Sequence, residues 1–419
     1  MYFLFATKHP EKGTCMSTSL LYHGYGIKGY KYVRTIFRNG EIIFRIAHDR
    51  FSLRCPKCRS RRFTLKGKYT RLIRSLPIGA KSVFIELPIQ RIHCHDCNAI
   101  QQVKLKFAEE RRTYTRAFER YALTLSKNMT IKDVANHLRV GWDLIKDIQK
   151  RYLVQKYSKP SLRNIEKIAI DEISIGKGHK YLTVVLNLKT GAVIFVGNGK
   201  GSDALKPFWK RVNSIKKRIK SVATDMSPAF ISAVLENLPN TVLVFDHFHV
   251  IKLFNDKLSK LRRDIQREAE GPLQKKVLKG TRWLLLKNPE NLNDDRNETE
   301  RLKDALELNQ PLATAYYLKE DLRQIWKQTN KCDAKKAISS WIAKARSSKI
   351  RILMKFANTL AAHSFGILNY YDYPISTGPL EGTNNKIKTL QKSAYGFRDE
   401  SFFKLKIYAL HETRYALVG

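Results

Sequence analysis

Residues 165–246 spell out a run of short apolar segments whose order leaves few ways to fold. KIAIDEI, YLTVVLNL and AVIFVGN are rich in β-branched and aromatic residues, and a Lys189-Thr190-Gly191 turn joins the second to the third. SDALKPFWKRVNSI then has helical character, SVATD reads as a strand, PAFISAVLENL as a helix and TVLVFD as a strand. The order strand-strand-strand-helix-strand-helix-strand predicts an α/β domain, with helices covering the faces of one sheet. Residues 250–370 continue almost entirely with helical periodicity and contain Trp283, Trp326 and Trp341. The last segment, from Gly378, is again helical in pattern and strongly basic.

Asp171 closes the apolar stretch KIAID, and Asp225 closes SVATD. Each carboxylate is therefore expected at the carboxyl edge of a core strand, where open α/β sheets bind ligands. Ser227 and Pro228 are read as the cap and first turn of the next helix. This is the topology of a ribonuclease H-like fold, whose first and fourth strands lie side by side and bring the two acids together. Carboxylates that close repel unless divalent cations sit between them. Two Mg²⁺ ions, or Mn²⁺, on a scissile phosphate activate the attacking oxygen and stabilise the leaving one. A third acid, Glu381, stands in the first turn of a predicted helix in TGPLEGTNNKIKTLQK. Glu381, Asn385, Lys388 and Lys392 share one helical stripe, which suits a metal-binding acid continued by groups that track a DNA backbone. Leu380, Ile387 and Leu390 form the opposite stripe and are expected against the sheet. Glu172 is a rival ligand, but successive strand side chains point to opposite faces.

The chain has 419 residues, with 78 Lys and Arg against 37 Asp and Glu, a net charge of +41. So large an excess, spread along the chain, calls for a polyanion, and nucleic acid supplies one through phosphate contacts. A hydrophobic content of 43% supports real cores and excludes a disordered tail. No stretch approaches the ~20 apolar residues of a membrane helix, and the N-terminus lacks the basic start of a signal peptide. A cytoplasmic, nucleoid-associated protein is expected. In a reducing cytosol, Cys55-Pro-Lys-Cys58 and Cys94-His-Asp-Cys97 suit two knuckles of one structural Zn²⁺ site rather than disulfides. Residues 62–92 supply a hairpin to fill the gap, and Lys57, Arg59, Arg61 and Arg62 suit phosphate contacts. MTIKDVANHLRVGWDLIKDIQKRYL reads as a helix-turn-helix. Thr130 caps a short helix carrying Val134, Ala135 and Leu138, and Gly141 sits in the turn. Residues 142–152 form the recognition helix, with Trp142, Lys146 and Lys150 as DNA-facing candidates.

From about Met16 onward the chain resembles insertion-sequence transposases of the ISL-three family. The resemblance is carried by CPKC with CHDC, IAIDEISIGKGHKYLTVV, ATDMSPAF, VFDHFHVIKL, KGTRWLLLKNPENL and GPLEGTNNKIKTLQKSAYGFRD. It implies a multidomain α/β protein: a four-cysteine zinc finger, a helix-turn-helix and a ribonuclease H-like DDE catalytic domain with an all-helical insertion at about 250–370. The DDE triad falls on Asp171, Asp225 and Glu381, with Mg²⁺ or Mn²⁺ there and structural Zn²⁺ at Cys55, Cys58, Cys94 and Cys97. Asp246 and His249 resemble the Cys-or-Asp, two residues, His motif that follows the fifth strand in related transposases. A structural pair at a strand-to-helix corner explains them equally well. Expected domains are 1–110 for zinc binding, 111–156 for the helix-turn-helix and 165–419 for catalysis. Expected partners are double-stranded DNA, as terminal inverted repeats and target, and further copies of the chain in the DNA complex. Residues 1–15 look foreign to the family, and Met16-Ser-Thr-Ser-Leu-Leu-Tyr-His resembles a natural start. Two rival readings share these features. A DNA-binding regulator would leave the acidic triad a coincidence; a nuclease or resolvase of the same fold would need the metals but not strand joining.

Overall fold

The computed structural model describes residues 19–411 apart from 177 and 270, so residues 1–15 and the start at Met16 lie outside the described residues. The described chain divides into two compact units, 19–152 and 153–411. No helix among the described residues is long and apolar enough to cross a membrane.

In the first unit, a short helix α1 (Leu20–His23) precedes five strands: β1 (Tyr30–Arg38), β2 (Glu41–His48), β3 (Phe63–Ile78), β4 (Lys81–Cys94) and β5 (Ile100–Gln102). The sheet order is β1-β2-β4-β3, with β5 pairing β4. Alternation decides the buried face. Ile42, Phe44 and Ile46 of β2 and Val83, Ile85, Leu87 and Ile89 of β4 pack with Tyr25, Ile27 and Phe107. Strand β1 escapes sequence reading because Tyr32, Val33 and Phe37 are exposed, which breaks the alternation.

Three helices follow: α2 (Arg116–Leu125), α3 (Ile131–Leu138) and α4 (Trp142–Tyr157). The Thr130 side chain caps α3 by accepting from the Asp133 N–H at 3.1 Å, as its position predicts. Phe118, Val134, Ala135, Leu138, Ile145 and Ile148 form their shared core. Helix α4 runs on to Tyr157, past the expected end at 152, because no breaker stops it before Ser158-Lys159-Pro160. Buried Arg74 of β3 joins sheet to helices. Its guanidinium lies 4.9 Å from the Phe84 ring centre and 5.9 Å from that of Phe118, and its Nη2 donates to the Leu138 carbonyl at 2.8 Å.

The second unit follows the order expected from its sequence. β6 (Lys167–Gly176), β7 (Lys180–Asn187) and β8 (Val193–Asn198) lead to α5 (Ser202–Val212), β9 (Ser221–Thr224), α6 (Pro228–Asn237) and β10 (Val242–Phe245). The sheet order is β10-β9-β6-β7-β8; β6, β7 and β8 are antiparallel, while β9 runs parallel to β6 and β10 to β9. Helices α7 (His247–Glu268), α8 (Pro272–Leu278), α9 (Arg282–Leu286), α10 (Glu298–Glu307), α11 (Gln310–Gln324), α12 (Lys331–Ser347) and α13 (Arg351–Leu368) then form the helical block. Trp341 is buried against Phe254 and Phe356 in its core, whereas Trp283 is 64% exposed. Helices α14 (Gly378–Ser393) and α15 (Glu400–Ala409) close the described chain. One sheet face buries Ile168 and Ile170 with α5, α6, α7 and the helical block; the other buries Ala169 and Ile173 with Leu380, Ile387 and Leu390 of α14 and Phe403 and Ile407 of α15.

Candidate active site and zinc centre

Strand pairing sets the acidic site. In the parallel β6–β9 ladder Lys167, Ile168 and Ala169 face Ser221, Val222 and Ala223, and the same offset carries Asp171 opposite Asp225. In the β9–β10 ladder Thr224 faces Phe245, so the next residues, Asp225 and Asp246, are also level. All three acids follow the alternation of Ala169, Ala223 and Val244 onto the face covered by α14. Asp171 differs from expectation in one respect. It does not end its strand, since β6 continues to Gly176 along β7; it lies two residues past Ala169, the last residue paired with the shorter β9. Glu172 follows Ile168 and Ile170 toward the opposite face.

Burial pushes the Asp171 carboxyl up to about 6; His249 and the Glu172 N–H pull it down, while Asp225 and Glu172 add to the rise. Glu172 is also raised, by burial first and then by Asp225, with Lys200 opposing. Asp171 Oδ1 accepts the Glu172 N–H at 2.8 Å, and Oδ2 accepts Asn384 Nδ2 at 2.9 Å. Asp225 Oδ1 accepts the Ser227 N–H at 3.0 Å. Ser227 thus bonds backward through its backbone, and its hydroxyl makes none of the expected capping bond to α6, although Pro228 does start that helix.

Glu381 lies in the first turn of α14 and is exposed, as are Asn385, Lys388 and Lys392, while Leu380, Ile387 and Leu390 are buried against the sheet as expected. Asn384, unmarked by sequence reading, is the amide that meets an acid; its only signal was its place between Leu380 and Ile387 on the buried stripe. Asp246 is 2% exposed. Its Oδ1 caps α7 through the Phe248 N–H at 2.6 Å, and its Oδ2 accepts the N–H of Thr377, the N-cap residue just before α14. His249 sits in the first turn of α7, near enough for an electrostatic effect on Asp171.

In the first unit, Cys55, Cys58, Cys94 and Cys97 bring all four Sγ atoms within 4.8 Å of one another. Among the described residues this is the one group of three or more potential metal ligands gathered so closely. Both knuckles have the same build. A residue with positive φ, Arg59 at 61° or Asn98 at 52°, follows the second cysteine and turns the chain back. Backbone N–H groups of Cys97 and Asp96 draw the Cys94 thiol down to about 6 against the effect of burial, and those of Cys58 and Lys57 lower Cys55. An all-sulfur, four-ligand set fits Zn²⁺ and a closed structural site. On α4, Trp142 is 54% exposed, and the Lys146 ammonium lies 6.0 Å from its ring centre. Lys150 follows one turn on along the same stripe.

Three family profiles match the chain. One described as "Transposase", for the DDE domain of family ISL3, covers residues 168–407. One described as "Helix-turn-helix domain of transposase family ISL3" covers 103–153, and one described as "zinc-finger of transposase IS204/IS1001/IS1096/IS1165" covers 52–97. The transposase for insertion sequence element IS1001 of Bordetella parapertussis is 32% identical over 359 residues, spanning 85% of this chain and 88% of that protein. The transposase for element IS1557 of Mycobacterium tuberculosis is 27% identical over 370 residues, spanning 82% of each chain. Among solved structures, the Drosophila P element transposase strand transfer complex is similar at a TM-score of 0.38 and 10% identity, over 74% of this chain and 95% of that chain. That likeness is too low to bear on the fold.

Proposed function

Because the chain belongs to the ISL3 family of insertion-sequence transposases, we propose that its cleavage and joining chemistry runs at Asp171, Asp225 and Glu381. The observation that carries this reading is the strand register that puts Asp171 and Asp225 level, on the face covered by the helix bearing Glu381. The sheet order, with three antiparallel strands and two parallel ones added beside the first, supports a ribonuclease H-like reading of this unit. The donor set is all carboxylate oxygen and suits hard cations, Mg²⁺ or Mn²⁺. Burial and the neighbouring Asp225 disfavour a bare negative charge on Asp171, a cost that a bound cation would relieve. When bound, such ions supply activation of the attacking oxygen and stabilisation of the leaving one.

The chain's own groups do the rest. Asp171, Asp225 and Glu381 would hold the ions. His249 stabilises the Asp171 charge. Asn385, Lys388 and Lys392, exposed along α14, follow the phosphate backbone away from the acids. Trp142, Lys146 and Lys150 of α4 read the terminal inverted repeats of double-stranded DNA, and target DNA is held mainly by phosphate contacts. We read 1–110 as the zinc-binding part, 111–156 as the helix-turn-helix and 165–419 as the catalytic part with its insertion at about 250–370. Two DNA ends joined in one reaction require a homo-oligomer in the DNA complex.

The test is end-repeat DNA incubated with protein and Mg²⁺ or Mn²⁺, scoring nicked and joined products. Asp171→Asn, Asp225→Asn and Glu381→Gln should each lose more than the ~10–100-fold typical of removing a metal ligand's outer partner, with DNA binding retained. Glu172→Gln should keep substantial activity. Cleavage by all three triad variants would remove these residues from the chemistry. A dead Glu172→Gln beside an active Asp171→Asn would shift the site by one residue.

A further inference from the structure

Asn384 is the residue of α14 that reaches the acidic edge. Its Nδ2 donates to Asp171 Oδ2 at 2.9 Å, while the Glu172 N–H holds Oδ1 at 2.8 Å. Each oxygen of Asp171 is thus oriented by one donor and keeps further accepting capacity. The orientation of the amide follows from charge, because an ionised acid only accepts and so the nitrogen must face it.

The position is costly for an amide. Asn384 is 7% exposed and lies on the buried stripe between Leu380 and Ile387, whose other members are aliphatic, and a buried amide is costly unless it is hydrogen-bonded. Its Oδ1 is buried with no hydrogen-bond partner. Only the nitrogen has a partner, and that partner is 213 residues away in sequence. A buried amide whose one bond goes to an acid of the site has a task other than packing. It is also placed to link two parts of that site, since it lies one turn after Glu381 on the same helix.

We propose that Asn384 is a positioning residue, whose amide fixes the Asp171 carboxylate in the orientation that presents it to the ions shared with Asp225 and Glu381, and keeps it in step with α14. This rests on the reading of Asp171 as a metal ligand. Losing such an outer hydrogen bond typically costs ~10–100-fold in metal affinity or activity.

The test uses the zinc-loaded full-length chain. Mn²⁺ binding is followed by the paramagnetic resonance of free Mn²⁺, alongside thermal melting and cleavage of end-repeat DNA. Asn384→Leu keeps the branched shape, at a somewhat larger volume, and removes the donor; Asn384→Ala removes both. Asn384→Leu should melt no lower than Asn384→Ala yet bind Mn²⁺ ~10–100-fold more weakly than wild type. Its cleavage should need correspondingly more metal. Thr389→Ala, on the exposed side of α14, should match wild type. Wild-type Mn²⁺ binding and cleavage by both Asn384 variants, beside a defective Asp171→Asn, overturns the inference alone. Metal binding that falls only in step with melting temperature in both variants makes Asn384 a packing residue and also overturns it. Wild-type Mn²⁺ binding by Asp171→Asn removes the underlying reading, and the inference falls with it.

Discussion

Asp171 sits between opposing influences, and their balance makes a testable statement about stability. Burial holds its carboxyl at about 6 in the folded chain, against ~3.9 for an unperturbed Asp. The folded state therefore binds more protons than the unfolded one between these values. This residue's contribution to stability is fully present below about pH 4, falls as pH rises toward 6, and stays lost above that. Replacing the acid by its neutral near-isostere removes the loss. Without added Mg²⁺ or Mn²⁺, Asp171→Asn should melt above wild type at pH 8, by a shift on the order of 2–4 °C for each kcal/mol gained. The gap should close toward pH 4. Saturating Mg²⁺ should raise the wild type and leave the variant unmoved. A variant that melts below wild type at pH 8 without metal would show that burial does not dominate there. Asn384 and Asn385 teach a related lesson. They are adjacent and chemically identical, yet one is buried on an acid and the other faces solvent.

Helix starts and strand ends converge on one carboxylate. Asp246 accepts the Phe248 N–H in the first turn of α7 and the N–H of Thr377, the N-cap of α14, so one buried side chain is bonded at the start of both helices. The preceding residue is equally constrained. Phe245 packs against α13 so tightly that a Cβ on Gly366 would lie 2.4 Å from its ring. The helical block therefore leaves the sheet at α7 and returns at α13, against the same strand that ends in Asp246. This favours the corner reading of Asp246, with His249 one turn on and electrostatically coupled to Asp171. Asp246→Asn keeps the shape but turns one of the two accepting oxygens into a donor aimed at an N–H. It should cost ~1–2 kcal/mol, as loss of a good cap does, and reduce cleavage more than end binding. Differential melting and a band-shift assay beside the cleavage assay separate these. Wild-type cleavage with wild-type stability would leave Asp246 no role at α14.

Across the whole chain, zinc and DNA recognition are joined by packing. The four cysteines lie at the end of β4 and before β3, and β3 carries Arg74, whose guanidinium is buried against Phe84 and Phe118 and bonded to the end of α3. The helix-turn-helix therefore shares its support with the sheet that the metal closes. Removing zinc with a chelator should melt the first unit, because small four-ligand modules draw their folding energy from the metal. Specific binding of the terminal repeats should vanish with it, while the second unit keeps its own thermal transition. Hydrogen exchange resolved by segment reads both. Protected α3 and α4 with intact repeat binding after zinc removal would contradict this.

Much of this molecule was legible in local sequence because the chemistry involved is local. Paired CxxC turns aim thiolates by short-range geometry, Thr130 caps a helix three residues away, and Asp225, an acid after an apolar run, falls just past the end of its strand. The strand and helix order of 165–246, the buried stripe of α14 and its exposed Glu381, Asn385, Lys388 and Lys392 needed only periodicity. Other features depended on which surfaces meet, and periodicity does not report that. It could not show that β6 outruns β9, that β1 pairs despite its exposed aromatics, or that Ser227 bonds back to Asp225. Nor could it choose Asn384 over Asn385, or bring Thr377 to Asp246, 131 residues earlier. A hydrogen bond between residues so far apart exists only once the sheet and its covering helices have packed, so tertiary structure alone decided those partners.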